Sequence, residues 1–158
     1  MSDDFLRNEA IKRGMAPDRN ARRDIANEFR AQSPTALMEA VVEAAGGITG
    51  EDSIVDPQHT EAEVRYIQER GGYVIAVDAD LRTRFERIKK RGSEKDNVTY
   101  EEFVTQQKLE MSSDNPNKNN LGAAMRAADF HIENNDTIEA LRVQVDYLLE
   151  KMREVDQH

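Results

Sequence analysis

The segment YVIAVDA, residues 73–79, constrains the fold of this chain more than any other stretch. It is a continuous apolar run rich in β-branched residues, without the apolar–polar alternation of a half-buried strand. This pattern is typical of a strand buried on both faces, and such strands occur in parallel sheets with helices packed on either side. We therefore expect an α/β architecture built around residues 73–79.

The rest of the chain alternates between helical and strand-like patterns. Helices are predicted at 3–13, 17–32, 35–47, 60–72, 80–91, 99–111 and 136–155, and two further short strands at 53–56 and 128–134. Thr60 and Glu63 have the spacing of a capping box, Ser33 is a candidate cap for the third helix, and Asp136 for the last. Strands that alternate with helices imply a parallel sheet covered by helices.

Composition limits the kinds of partner. The chain has 158 residues, a formal net charge of -9 and no cysteine, which excludes disulfides and Cys-based metal sites. It opens without a signal-like segment and has no apolar run of roughly 18 residues, so we expect a cytoplasmic protein without a membrane partner. Its acidity argues against binding to bulk nucleic acid, but a local basic site for a small anion remains open.

Such a basic site is predicted on the helix at 80–91. Its core-facing stripe consists of Leu81, Phe85 and Ile88, and a neighbouring face carries Arg84, Arg87 and Arg91. Arg87 and Arg91 lie one turn apart, so their guanidinium groups can converge on one polyanion, and arginine suits phosphate oxygens well. A solvated basic face paired with acids is the alternative. The position after the carboxyl end of a strand favours the phosphate site.

The segment VDADLRTRFERIKKRG, residues 77–92, resembles the part of the P-loop nucleoside monophosphate kinases that leads into their lid. The resemblance is closest to the adenylate-kinase-like and dephospho-coenzyme-A-kinase-like branch, including archaeal members. In that family an Arg-apolar-x-x-Arg element contacts the phosphates of ATP, and here it corresponds to Arg87–Arg91. The segment AADFHIENNDTIEAL resembles the family's last strand, its Asn-rich turn near the adenine, and its terminal helix. The resemblance therefore implies a nucleotide site that includes Arg84, Arg87, Arg91 and Asn134.

Two further segments carry the resemblance toward the acceptor side. MSDDFLRNEAIKRG resembles a helix in which an arginine grips the acceptor phosphate, and this arginine corresponds to Arg7. SIVDPQHTEAEV resembles a strand that ends in Asp-Gly-x-Arg. Asp56 matches the aspartate, whereas Pro57 and His59 replace the glycine and the phosphate-binding arginine. Asp56 is thus a candidate for holding Mg²⁺ through water, with a plain turn carboxylate as the stronger alternative. His59 is a candidate substrate contact or an ordinary loop histidine.

Two departures from the family pattern bear on activity. The motif G-x-x-x-x-G-K-[ST], which supplies the main phosphate cradle, is absent from these 158 residues. In the family, its strand lies between the strands that here end at Asp56 and Asp78. Gln106 and Leu109 stand where relatives carry phosphate-binding arginines. Three accounts remain open: a truncated sequence, a degenerate relative, or a missing strand supplied by another copy or a partner.

We expect a single kinase-like domain over 1–158, a three-layer parallel sheet of the adenylate-kinase-like P-loop type without its first strand. Its predicted regions are a helical acceptor-binding region (1–50), core strands and basic helix (51–92), a lid-like region (93–120), and the last strand with the terminal helix (121–158). The implied ancestral activity is transfer of a phosphoryl group from ATP, with Mg²⁺, to a nucleotide-like acceptor, and we expect this chain alone to be inactive or incomplete. The alternative is a non-catalytic nucleotide-binding or protein-interaction module, including a homodimer.

Overall fold

The computed structural model describes residues 2–47, 54–92, 98–111 and 120–156. The helices in these ranges are α1 (Ser2–Lys12), α2 (Arg19–Gln32), α3 (Ala36–Ala44), α4 (Glu61–Gln68), α5 (Leu81–Arg91), α6 (Tyr100–Met111), α7 (Leu121–Ala127) and α8 (Ile138–Asp156). The strands are β1 (Ile75–Asp78) and β2 (Phe130–Glu133). None of the helices described is both long and apolar enough to cross a membrane.

Most predicted helices are present, and their ends follow local chemistry. The side chain of Asp18 accepts a hydrogen bond from the Ala21 amide at the start of α2, and Thr60 and Glu63 form the predicted capping box on α4. Helix α5 ends at Gly92, whose φ of 66° is the left-handed conformation that glycine adopts readily.

Two predicted caps were wrong. The first turn of α8 is capped by Thr137, whose hydroxyl oxygen accepts from the Ala140 amide, and not by Asp136. Helix α3 begins two residues later than predicted from Ser33, whose hydroxyl instead accepts from the Thr35 amide in the preceding turn. In both cases a threonine lies close to the predicted cap, at Thr35 and Thr137, and the helix begins directly after it.

Two other segments differ from the sequence prediction. Helix α7 was not predicted, because LGAAMRA has a glycine and small residues in place of a clear apolar stripe. The predicted strand 53–56 lies partly outside the described residues, and its described part, Ile54–Asp56, has no strand assignment. A strand exists through its ladder of backbone pairs, and no strand of the described ranges pairs with this stretch.

The chain divides into two compact units. The first unit comprises Met1–Gly72 and Glu110–Ala127, and the second comprises Tyr73–Leu109 and Ala128–His158. The division at residue 72 passes through the predicted 51–92 region, so Asp56 and Asp78 belong to different units. Each unit is described by itself below.

The first unit is helical. The apolar faces of α1, α2 and α3 pack together, and α4 packs on α7. On α2, Ile25 and Ala26 are buried, and the ring of Phe29 meets Phe5 edge-on at 5.7 Å between centroids. Fully buried apolar side chains at the centre include Ile25, Met38, Val41 and Val64.

The second unit is built on the parallel pair β1 and β2, with Ile75 opposite Phe130 and Val77 opposite Ile132. Helix α8 packs on β2. Successive side chains of a strand point to opposite faces, and the two faces of β1 differ. Val74 and Ala76 are buried, whereas Ile75 is 39% and Val77 55% exposed. The expectation that this strand is buried on both faces was therefore wrong for the described chain.

Among the residues that the structure describes, the sheet has two strands. The three-layer parallel sheet of the P-loop type stays a prediction. The basic helix α5 contributes its apolar side to a small aromatic cluster, in which Phe85 contacts Tyr100 and Phe103 at 5.2 and 5.6 Å between ring centroids.

Candidate functional site at the carboxyl end of the sheet

The turn after β2 is bonded to the end of β1. The Asn134 amide donates to the Asp78 carbonyl oxygen at 2.7 Å, which continues the parallel ladder by one bond. The Asp80 amide donates to the side-chain oxygen of Asn135 at 2.7 Å, and the Ala79 amide donates to an Asp78 carboxylate oxygen at 2.8 Å. The carboxyl ends of both strands and the start of α5 therefore form one polar cluster, at the place where open α/β sheets bind ligands.

Arg87 fixes the Asn-rich turn to α5. One terminal nitrogen of its guanidinium donates to the Asn134 carbonyl oxygen at 2.6 Å and the other to the Asp136 carbonyl oxygen at 3.3 Å. A rigid fork with two N–H directions is suited to hold two carbonyl groups at once. Arg87 and Asn134, both predicted in the nucleotide site, are thus brought together. In this arrangement Arg87 positions the turn, and several of its donors are already used.

Arg84 is the arginine closest to the end of β1 with donors to spare. Its side chain is 27% exposed, and one terminal nitrogen lies 3.8 Å from an Asp78 carboxylate oxygen, at the outer limit of an ion pair. Its Nε is buried and has no hydrogen-bond partner among the described residues. A buried N–H of a charged group without an acceptor costs free energy, and the partly exposed part of the Arg84 side chain is what an anion from outside can reach. Arg91 lies exposed in the last turn of α5.

The acceptor-side candidates lie in the first unit. Arg7 is exposed on α1, and its side chain makes no hydrogen bond or ion pair with any part of the chain the structure describes. The carbonyl oxygen of Asp56 accepts from the Ser2 amide at 3.2 Å, and its residue is exposed. Within the described ranges no three His, Asp or Glu side chains cluster as a metal site, so protein ligands alone do not form a cage for Mg²⁺ there.

His59 has lost the charge that its predicted role requires. Burial lowers the pKa of its imidazole below the usual 6.5, and the positive charge of Arg30 lowers this pKa further, against a smaller opposite effect of Glu63 and Glu110. The ring is therefore neutral at neutral pH. A neutral imidazole offers a phosphate one N–H donor and no charge, unlike the arginine that it replaces in the family pattern.

Sequence reasoning missed the buried ion pair beside His59. Arg30 Nε donates to one oxygen of Glu63 at 3.0 Å, and the amides of His59 and Thr60 donate to the other at 2.7 and 3.2 Å. The side chains of the pair are only 5% and 1% exposed. The signal available was weak: Arg30 lies four residues after Ala26, on the buried side of α2. The pair joins α2 to the capping box of α4 and shapes the loop that carries His59.

Two grooves lie away from the predicted site residues. One, of about 510 Å³, is in the first unit between α3 and α4 and is lined by Glu39, Val42, Glu43, Gly46, Gly47, Tyr66 and Arg70. The other, of about 180 Å³, is in the second unit between β2 and α8, where Tyr147 and Leu148 face Phe130 and His131. Neither groove is lined by an arginine of α5.

Comparison with known proteins relates the chain to archaeal proteins named UPF0200. It is 29% identical over 153 residues to a UPF0200 protein of Hyperthermus butylicus, and the match covers 94% of this chain and 78% of that protein. A UPF0200 protein of Methanosarcina mazei is 27% identical over 157 residues, with 97% and 81% of the two chains covered. One from Methanocaldococcus jannaschii is 33% identical over 100 residues, covering 63% and 48%.

The similarity to UPF0200 proteins extends over both units, and this name states no activity. No protein-family model matches the chain. No solved structure matches it either.

Proposed function

We propose that this chain is a nucleotide-kinase-like protein that binds nucleotide phosphates beside Arg84, Arg87 and Arg91 and has little or no kinase activity by itself. The observation that carries the proposal is the buried, unpartnered Nε of Arg84 next to the carboxyl end of a parallel strand. A phosphate group can bind the partly exposed part of the Arg84 side chain, and open α/β sheets bind ligands at this edge.

Different residues of the site have different tasks in this proposal. Arg84 contacts the phosphates directly, and Arg91 joins it from the exposed end of α5. Arg87 holds the Asn134–Asp136 turn, which lies beside the base of the nucleotide. Arg7, exposed and without a described partner, binds the phosphate of a nucleotide-like acceptor, and neutral His59 contributes at most a hydrogen bond. Mg²⁺ arrives with ATP.

The expected lack of turnover follows from the number of charges. Phosphoryl transfer depends on positioning and on neutralising the charge that develops on the transferred group. The printed sequence has no P-loop lysine, and Gln106 and Leu109 supply no guanidinium on α6. The remaining arginines bind phosphate but do not surround it.

Titration calorimetry with ATP, alone and with Mg²⁺, tests the binding site on the whole chain. The variant Arg84→Gln removes the free donor and is expected to weaken binding about tenfold or more, because one charge-assisted hydrogen bond contributes about 1.5–3 kcal/mol. The matched control is Arg82→Gln on the same helix, where Arg82 is exposed and pairs with Glu86 at 3.0 Å. Equal affinities of Arg84→Gln and the parent would contradict the site.

A second pair of variants separates positioning from charge at Arg87. Arg87→Lys keeps the positive charge but loses the fork that holds two carbonyl groups. If Arg87 acts by positioning the turn, Arg87→Lys weakens ATP binding nearly as much as Arg87→Ala. It then also speeds hydrogen exchange of the Asn134 amide. Full affinity in Arg87→Lys would show that Arg87 acts by its charge alone.

Kinase activity is tested separately by following ADP formation with nucleoside monophosphates or dephospho-coenzyme A as acceptors. We expect no turnover above the background of a preparation carrying Arg84→Gln. Turnover that depends on Arg84 would overturn the inactive half of the proposal and leave the binding site standing.

The alternative, an interaction module that includes a homodimer, is favoured by a different observation. Ile75 and Val77 on β1 are exposed in a type of strand that is normally covered on both faces. Calorimetry without any heat at millimolar nucleotide, together with self-association, would put this alternative first.

A further inference from the structure

The two outer edges of the sheet differ in how their outward-pointing backbone groups are hydrogen-bonded. At the edge of β2, the side-chain amide of Gln144 on α8 takes the place of a neighbouring strand. Its oxygen accepts from the Glu133 amide at 3.2 Å, and its nitrogen donates to the Glu133 carbonyl oxygen at 2.8 Å. A side chain thus satisfies both backbone groups that Glu133 presents outward, and this edge is closed at its carboxyl end.

The edge of β1 has the opposite character. The carbonyl groups of Val74 and Asp78 accept from the amides of Phe130 and Asn134, at 3.2 and 2.7 Å. Because backbone direction alternates along a strand, the N–H and C=O groups of Ile75 and Val77 point away from β2, toward the other edge. The side chains of these two residues are exposed as well. Within the described ranges no backbone group pairs with this edge, which carries β-branched apolar side chains, and this combination favours pairing with another extended strand.

We propose that the β1 edge pairs with the same edge of a second copy of this chain, antiparallel and centred on Ala76, to give a sheet in the order β2–β1–β1–β2. A single side-chain amide, like that of Gln144 at Glu133, satisfies the outward groups of one residue, whereas another extended backbone satisfies those of Ile75 and Val77 together. A two-fold axis through Ala76 makes the contact the same from both sides, as in most homodimers. This inference does not rest on the proposed nucleotide site.

Self-pairing in this register is chemically complementary. In this register, two residues face each other when their numbers sum to 152. Ile75 of each copy therefore faces Val77 of the other copy, which gives two such pairs. Within each pair, both residues donate a backbone hydrogen bond to the other. Cross-strand pairs of β-branched residues stabilise a sheet. The acidic residue Asp78 faces Val74 of the second copy, so no like charges oppose each other across the strands. In a register shifted by one residue, the backbone groups of Ile75 and Val77 would no longer form hydrogen bonds with each other across the two copies.

Charge predicts how this association depends on salt. Each copy carries a formal net charge of -9, so two copies repel each other over long range. Added salt screens this repulsion and is expected to strengthen the dimer. ATP binding to arginines is expected to weaken under the same change. The two proposals can therefore fail independently in one set of experiments.

Analytical ultracentrifugation of the whole chain at low and moderate salt is the first test. We expect a dimer that strengthens with salt, and a monomer for Val77→Lys, since an edge lysine blocks strand pairing. Val77 is exposed, so this change leaves the unit folded, which circular dichroism checks. The matched control is Val143→Lys, at an exposed apolar position of α8, which stays dimeric. A monomeric parent chain, or a dimer that survives Val77→Lys, overturns the proposal.

Cysteine cross-linking tests the register directly, because the chain has no cysteine of its own. In the proposed pairing, Cys at 75 faces Cys at 77 of the other copy with a Cα separation of about 5.5 Å, within the range for a disulfide. Equal residue numbers lie on a diagonal, at about 7–8 Å, beyond that range. A mixture of Ile75→Cys and Val77→Cys is therefore expected to form a cross-linked dimer under mild oxidation, while each variant alone does not. This register is overturned if either variant alone cross-links to the same extent as the mixture. It is also overturned if no sample, mixed or single, forms a cross-linked dimer.

Discussion

In the first unit, the apolar side chains of α1, α2 and α3 meet in a closed core, whereas in the second unit many large apolar side chains remain exposed. The exposed ones in the second unit are Ile75, Val77, Leu81, Leu109, Ile138, Val143, Val145, Tyr147, Leu149 and Val155, against Ile11, Met15 and Ile54 in the described part of the first. Helices can close a core among themselves, but a strand pair needs cover on both faces and at both edges. The first unit therefore buries its apolar side chains within itself, whereas the second leaves a larger apolar surface exposed.

The largest expected effect tests the closed core of the first unit. Glu63→Ala leaves the Arg30 guanidinium buried without its partner and removes the capping box, so we expect a loss of about 3–5 kcal/mol in the free energy of unfolding. Urea titration of the whole chain measures it. The control is Glu61→Ala on the same helix, where the exposed pair with Arg65 contributes below about 0.5 kcal/mol. A loss for Glu63→Ala no larger than that of the control would mean that the buried pair does not support the core.

The second prediction asks whether the second unit has a core at all. Ile132 is 4% exposed on β2, and Ile132→Ala is expected to cost about 2–4 kcal/mol through lost burial and the cavity left behind. Val143→Ala, at a position 69% exposed on α8, is expected to cost below about 0.5 kcal/mol. The same denaturant titrations, followed by near-ultraviolet signals of the tyrosines, compare the two. Equal small losses would indicate that the sheet of the second unit is loosely packed on both faces.

How much the sequence predicted depends on the distance along the chain over which an interaction acts. The capping box joins Thr60 and Glu63, three residues apart, and it was correctly predicted because local spacing records it. Parallel pairing of the segments at 73–79 and 128–134 is also present. Helix α7 was missed because its small residues leave no periodic apolar stripe.

Interactions between distant segments could not be predicted in this way. Arg30 and Glu63 are separated by 33 positions in the chain, and Arg87 is at least 47 positions from the Asn134–Asp136 turn that it binds. No local sequence pattern records pairs at such separations. Sequence reasoning assigned Arg87 a direct phosphate contact as its role, which stays a prediction, whereas the structure shows it bound to two carbonyl groups. An arginine that binds carbonyl groups and one that binds phosphate have the same spacing on a helix. The exposure of Val77 could not be predicted either, because the composition of a strand shows which side chains it can bury and not whether another element covers them.

A smaller effect is expected at the closed edge of β2. Gln144→Ala removes two hydrogen bonds to the Glu133 backbone, and in this exposed place we expect a loss of about 1 kcal/mol. Hydrogen exchange of the Glu133 amide is expected to become faster, while that of the Ile132 amide inside the β1–β2 pair stays slow. The result shows how strongly a side chain protects the β2 edge of the sheet. An unchanged Glu133 amide in Gln144→Ala would show that the side chain does not protect this edge.

The last prediction concerns His59, whose imidazole pKa is lowered by burial in the first unit. Burial and Arg30 lower the pKa of the imidazole in the folded chain below 6.5, so below that pH the unfolded chain binds more protons at this site than the folded one. The contribution of His59 to stability is therefore full above pH 6.5 and is lost as the pH falls toward the lowered pKa. His59→Gln is expected to remove this part of the acid-side loss of stability, measured as unfolding free energies at pH 7.5 and about pH 5.5. The matched control is His131→Gln, at an exposed position of the second unit. If both variants flatten the dependence equally, the effect comes from removing a histidine anywhere in the chain, and the burial of His59 does not explain it.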